Sequence, residues 1–385
     1  MRKILYLFIG AALFLSFFAF PAQAQEVVAN SNLEPAKALT AEAEVLKIVE
    51  ERNFERENGQ EVTQQNLELG ILTGSFKGQV KNYYGISELD VVAAQNYKVG
   101  DKVVVSYDKN EDGEYSFYII DFVRTPTLIY LGLLFVVIVL LVGGKKGLLS
   151  LLSLTLTFLL IIKVLVPLLF KGWDPLWTGI SIAALILLAL IYLTEGLNKK
   201  AHLAVLSIIV SLLITALLAW IFGSAGRLSG AGNEEVIFLI DSLDVPISFH
   251  RLLLASIIIG ALGVLDDIVV GQIEAVYQLK EANPELKPQR IFKMGLKISR
   301  THLGAIINTL FLAYVSASLP LVLLFNVHQE PFLTTAQIIN NENIATEIVR
   351  TLVGVIGICL AAPLATFLAA YYLNPPVDKK RVFKN

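Results

Sequence analysis

The sequence predicts an α-helical multipass membrane protein, with about seven transmembrane helices and an exported N-terminal β-barrel domain, small and OB-like. Three observations lead there. Hydrophobic residues make up 55% of the 385-residue chain, and the mean hydropathy is +0.65, above what soluble domains usually show. The apolar excess is concentrated in long, nearly uncharged runs after residue 126. Before that point, residues 42–126 carry short alternating runs broken by turn residues.

Residues 1–24 have the three parts of an export signal. Arg2 and Lys3 give a charged start, Ile4 to Phe20 an apolar stretch, and Ala22-Gln23-Ala24 a cleavage pattern that places the mature start at Gln25. Residues 25–41, rich in Ala, Asn, Glu and Pro, read as a linker. The extracytoplasmic β-rich domain covers 42–126, with strands expected at 43–49, 67–72, 76–83, 88–93, 101–107 and 115–123. Val103, Val105 and Tyr107 supply the period-two alternation of a half-buried strand. Five or six short strands in so little chain suggest a small antiparallel barrel. The Asp108–Glu114 segment has the oxygen spacing of half a calcium loop. It lacks the closing Glu, because Ile119 stands there, so it reads as a solvated hairpin.

Seven apolar stretches reach roughly the 20 residues that a span needs. They lie near 127–143, 148–170, 175–194, 202–222, 252–273, 303–325 and 351–373, and the whole membrane region covers 127–373, followed by a cytoplasmic tail at 374–385. Positive charges test the count independently. With the N-terminal domain outside, the inner loops and tail hold 14 Lys and Arg, among them Lys145, Lys146, Lys199, Lys200 and six between 280 and 300. The outer loops hold four, Lys171, Arg227, Arg251 and Arg350. The asymmetry gives a cytoplasmic C-terminus and a cytoplasmic-membrane location. Trp173, Trp177 and Trp220 fall at the outer interface, Tyr371 and Tyr372 at the inner one. The outer loop 223–250 reads as a solvated acidic loop. Residues 280–300, opened by Pro284 and Pro288, read as an amphipathic helix on anionic lipid.

The fifth stretch carries the strongest functional signal. At 100° per residue, Ser256, Gly260, Gly263, Asp267, Gly271 and Glu274 fall within about 80° of one another, while Asp266 points about 100° away. Small residues let helices approach closely, so this stripe is expected to face protein. A carboxylate at that depth is costly unless paired, which makes Asp267 the leading candidate for binding a proton or cation, with Asp266 and Glu274 beside it. The sixth stretch offers a matching face of His302, Ala305, Thr309, Ala313 and Ser316, with Asn308 at its edge. Glu347 and Arg350, three apart, are expected to pair at the start of the seventh.

These runs also carry a resemblance. Gly260–Asp267, Gly295–Arg300 and the pattern Asn308-Thr309-Leu310, Ala313-Tyr314, Ser318-Leu319-Pro320 resemble the YibE/F family of bacterial membrane proteins, and the likeness extends over most of the chain. Asp267 matches the family's aspartate after the glycine-rich stretch; Asp266 and the Thr301-His302 pair depart from the usual pattern. The resemblance implies a multipass membrane protein and supplies no substrate or reaction.

The expected function is transport of a small solute or ion, proton-coupled through the intramembrane carboxylate. The alternative is a membrane scaffold whose exported domain binds a partner. An enzyme is not expected: the chain has no phosphate loop, HExxH or nucleophile elbow. The consecutive Asp266 and Asp267 point apart, unlike a protease dyad. A lone cysteine, Cys359, rules out an internal disulfide or thiolate cluster. No cofactor, metal or nucleic acid is called for. Membrane lipids, the solute, and a second copy or another membrane protein are the expected partners.

Overall fold

The computed structural model describes residues 39–55, 61–86, 95–109, 113–232, 234–242, 247–326, 330 and 332–373. The expected signal peptide, most of the linker, the strand at 88–93, the tip of the Asp108 hairpin and the C-terminal tail lie outside them. The chain divides into two compact units, with the boundary in sequence at residues 135/136.

The first unit is a curled antiparallel sheet, a half-barrel of five strands: β1 (Leu39–Glu55), β2 (Glu61–Ile71), β3 (Val80–Tyr84), β4 (Lys102–Lys109) and β5 (Tyr115–Phe122). Their order is β3-β2-β1-β4-β5. The central strand β1 is long enough to pair with β4 through Leu39–Glu44 and with β2 through Ala43–Glu55. Register shifts between Val45 and Lys47 and between Ile48 and Glu50 bend it, and a third lies between Val104 and Val105 in the β4–β5 ladder. Each extra residue adds local twist, which curls the sheet. The alternation seen in the sequence becomes the inner face: Ala41, Ala43, Val45, Leu67, Leu69, Ile71, Val103, Val105, Tyr107 and Phe117 form one core. Phe76 closes one end of it, edge-on to Tyr107 and Phe117.

At the other end Tyr97 is buried. Its backbone N–H donates to Gln65 Oε1 (2.7 Å), and its carbonyl accepts from Gln65 Nε2 (3.2 Å). The buried amide thus satisfies a segment that has no ladder of its own. Burial first, then the neighbouring Tyr83 and Asp121, push the Tyr97 phenol up to about 12.

The second unit is helical, and its first helix begins within the sequence of the first. Its elements are α1 (Thr125–Leu160), a π-helical turn (Ile161–Leu165), α2 (Val166–Phe170), α3 (Pro175–Glu195), α4 (Lys199–Ala225), α5 (Glu234–Ser242), α6 (Phe249–Ala282), α7 (Pro288–Ala317), α8 (Leu319–Leu323), α9 (Thr335–Ile339) and α10 (Glu342–Tyr372). Among the described residues, five helical runs are long and apolar enough to cross a membrane: 125–170, α3, α4, α6 and α10. The difference from the seven expected stretches has two sources. The first two share the run 125–170, which breaks at Gly144 (φ 55°, ψ −126°), a backbone conformation open to glycine. The chain doubles back there. A methyl on Gly147 would strike the Val139 carbonyl, and Val136 and Leu140 pack with Leu148 and Leu151, pairs a straight helix would hold far apart. The sixth stretch is the second half of α7, a helix whose first half is strongly basic and which stops at Ser318, before Leu319-Pro320. The segment read as a separate amphipathic helix is therefore the beginning of α7, with Pro288 in its first turn. The acidic loop 223–250 contains α5, which exposes Ile237, Phe238 and Ile240.

The helical core lies where α3, α4, α6 and α10 meet, around Ile186, Ile191, Ile208, Ile258, Leu265, Ile273, Ile358 and Ala365. Its tight crossings use single glycines. A methyl on Gly179 of α3 would stand 2.7 Å from the Ala255 methyl of α6, one on Gly295 of α7 would stand 2.7 Å from Thr366 of α10, and one on Gly357 of α10 would collide with Thr215 of α4. Polarity inside this core is satisfied locally. Ser207, Ser211 and Thr215 of α4 are fully buried, and their hydroxyls donate to Leu203, Ser207 and Ser211 carbonyls of their own helix.

Candidate functional site

The long helix α6 has one apolar face and one small, polar face. Leu254, Ile258, Ala261, Leu265, Val269, Ile273 and Val276 are buried against the neighbouring helices. This wider apolar face wins the packing, since burying it removes far more area from solvent. The opposite face is the stripe, and within the chain Ser256, Gly260, Gly263, Asp267 and Gly271 are exposed. Where a Cβ would stand on Gly263 or Gly271 there is nothing within 4 Å; on Gly260 the nearest group is the Tyr314 hydroxyl of α7, at 3.8 Å. The sequence reading had this stripe facing protein; the structure leaves it as an open furrow. Ser256 satisfies its hydroxyl on the Leu253 carbonyl of its own turn (2.8 Å).

Asp266 and Asp267 occupy different surroundings. Asp267 is exposed in the furrow, whereas Asp266 is half-buried. The Oδ1 of Asp266 is enclosed and has no hydrogen-bond partner among the described residues. The charges acting on it are the carboxylates of Asp267 and Glu195. Sequence reasoning placed Asp266 at the edge of the contact; it is the more enclosed of the two.

Ion pairs mark both ends of the furrow. Toward the C-terminus of α6, Glu274 accepts from Lys200 Nζ of α4 (2.7 Å) and from Gln278 Nε2 (2.8 Å). The Lys200 ammonium also lies over the Tyr277 ring, 4.2 Å from its centre. Nearby, Lys146, just past the Gly144 turn, faces Glu195 of α3 at 3.4 Å, and Tyr192 hydrogen-bonds His202 (2.9 Å). From Gly260 to Glu274 the furrow runs about 21 Å along the helix.

Toward the other end, Arg350 donates to Glu347 within α10 (2.6 Å), the pair expected from their spacing. Both act on Tyr314. Arg251, at the start of α6, is paired with Asp174, which also caps α3 by accepting from the N–H groups of Leu176 and Trp177. Partial burial works against charge on Asp174. The N–H of Trp177 and the Arg251 guanidinium outweigh it and hold the carboxyl below the usual range. Glu342 of α10 accepts from Ser229 Oγ (2.7 Å) and the Gly230 N–H (2.8 Å), anchoring the loop after α4.

The α7 candidates are not brought onto Asp267. His302, Asn308 and Thr309 are exposed, and the Thr309 hydroxyl donates to the Ala305 carbonyl of its own helix. What holds α7 is Gln272 of α6, a residue not singled out from sequence. Its buried Nε2 donates to the Gly295 carbonyl of α7 and to Thr366 Oγ1 of α10, both at 2.8 Å. Lys200, Glu195 and Lys146 were missed as well. Their partners lie 74 and 49 residues away, beyond any local spacing signal. Among the described residues no group of three or more His, Cys, Asp or Glu is arranged to hold a metal ion.

Two family models match. That of the YibE/F family N-terminal domain covers residues 40–122, the sheet unit, and that of YibE/F-like proteins covers residues 131–375, the helical unit. No curated protein and no solved structure matches the chain. With the second of these models spanning well over half its length, the chain belongs to the YibE/F family.

Proposed function

We propose that the protein is a multipass transporter of the cell membrane, carrying a small solute or ion along the α6 furrow. The observation that supports this reading is the furrow itself. Glycines and Asp267 form an open line between two ion-paired ends, on a helix long enough to cross a bilayer, and Asp266 is enclosed beside it. In lipid such a line is costly, so a water-lined path is the arrangement that suits it. Asp267 takes and releases the coupling proton or cation, and Asp266 and Glu274 set the local field. No covalent chemistry and no cofactor are part of this reading. The topology proposed with it splits the run 125–170 at Gly144 and counts α7 as a span. That gives seven crossings with the sheet domain outside and the C-terminus in the cytoplasm. The sheet is proposed to be OB-like, because an order with β1 at the centre and β3 and β5 at the ends is that of a five-stranded barrel of this kind.

Proteoliposomes holding the full chain test the proposal under an imposed pH gradient. Proton or solute flux is expected from wild type and lost in Asp267→Asn, whose membrane abundance stays near normal because an amide keeps the shape and hydrogen bonding. Wild-type flux from Asp267→Asn protein would remove the reading's main support. A second reading, a scaffold whose sheet domain captures a partner, has its own observation. Tyr84, Tyr118, Val80 and Ile120 are exposed on the outer surface of the sheet. It predicts no flux from any variant.

A further inference from the structure

We infer that the N-terminal half of α7 is a docking surface for anionic phospholipid headgroups. Arg290, Lys293, Lys297 and Arg300 are all exposed, and their 3-4-3 spacing places them within about 80° on one side of the helix. The opposite side is fixed to the protein: Ile291, Gly295 and Ser299 are buried, and the Gly295 carbonyl is held by Gln272. The stripe is therefore a rigid feature with its charges turned outward.

Its charge is uncompensated. No acidic residue occurs between Glu285 and Glu330, and among the described residues none of the four cations has a carboxylate within ion-pair distance, whereas Lys146, Lys200, Arg251 and Arg350 all do. Like charges at this spacing repel one another, so an external anion relieves the stripe. Its surroundings favour lipid over a soluble anion. Phe292 packs edge-on against Phe367 (6.1 Å), and Phe367 against Tyr371 (4.7 Å), an aromatic group beside the cations of the kind that sits at headgroup level. The level agrees, because Gly295 is held at Gln272, close to the Lys200–Glu274 pair at the end of the apolar part of α6. A basic helix on an anionic leaflet gains roughly fivefold in affinity per cation. The inference rests on the membrane-spanning reading and is independent of transport.

The test uses full-length protein in detergent, titrated with phosphatidylglycerol, phosphatidylcholine or inorganic phosphate, with thermal unfolding and co-purified lipid as readouts. Phosphatidylglycerol is expected to raise the Tm by roughly 5 °C more than phosphatidylcholine does. The R290Q/K293Q/K297Q/R300Q variant should lose most of that difference and most of its co-purified anionic lipid, while R290K/K293R/K297R/R300K keeps both. If the fourfold neutral variant does not fold, K293Q/K297Q gives the same reading with about half the loss. Equal shifts with the two lipids, or an undiminished preference in the neutral variants, overturn the inference. A shift reproduced by inorganic phosphate alone also overturns it, in favour of a soluble anion.

Discussion

Lys200 of α4 serves two partners on α6 at once: its ammonium is 2.7 Å from Glu274 and 4.2 Å from the centre of the Tyr277 ring. Both side chains of the ion pair are partly exposed, so the pair itself contributes about 0–1 kcal/mol; the ring adds about 0.5–1 kcal/mol. Lys200→Met is therefore expected to destabilise more than Glu274→Gln. A double-mutant cycle on the two positions, read by thermal unfolding in detergent, should give a coupling below about 1 kcal/mol. A much larger coupling would mean that the pair is shielded from solvent.

Two glycines on neighbouring helices should respond oppositely to the same added methyl. Gly295→Ala forces that methyl against Thr366 and Val276 and is expected to cost about 1–3 kcal/mol by overpacking. Gly263→Ala meets nothing within 4 Å, and its stability should hold or rise slightly, since alanine favours the helix. Under the transport reading it should nevertheless lower flux by narrowing the furrow. Melting temperatures of the two variants, compared in one detergent, decide the first part.

Asp266 offers a sharper separation of structure from function. Its enclosed Oδ1 lacks a partner, and its charged neighbours are carboxylates. Removing the charge should therefore leave the fold intact or stabilise it: Asp266→Asn is expected to melt no lower than wild type. A fall of several degrees would reveal a donor or cation that holds this oxygen.

The sheet domain should fail at alkaline pH through Tyr97. Its phenol is raised from 10.0 to about 12 on folding. A raised folded value means that the contribution is fully present below pH 10 and is lost as pH climbs through 12. Urea unfolding of residues 39–122 at several pH values should show stability dropping across that window. Tyr97→Phe should flatten the drop; an unchanged profile would assign it to another group.

The sheet was legible because its signal is local. Val103, Val105 and Tyr107 alternate in sequence and line the core in space, whereas the length of β1, shared between β4 and β2, and its two bulges against β2 leave no mark in a window. Long apolar runs announced the helices, but the turn at Gly144 and the stop at Ser318 decide how many separate crossings they make. The stripe on α6 was correctly periodic, yet periodicity says only that two faces differ. Which face is covered depends on the area each can bury, and the apolar side prevailed. The crossings that are tight use isolated glycines at 179, 295 and 357, which form no pattern until the helices are packed. The Glu347–Arg350 pair was readable because its members are one turn apart, and the Lys200–Glu274 pair was not because the fold brings it together.

The self-contained hydroxyls of α4 give the bundle unequal mechanical joints. Ser207, Ser211 and Thr215 spend their protons on their own helix, so the α4–α10 seam can shear without breaking a hydrogen bond from any of them. The joint at Gln272 is the reverse, since displacing α7 or α10 from α6 must break a bond to Gly295 or Thr366. Rigid-body motion in this fold should therefore run along the α4 seam, breaking only the weak, partly exposed Lys200–Glu274 pair among the polar contacts described above, with α6, α7 and the C-terminal half of α10 moving as one block.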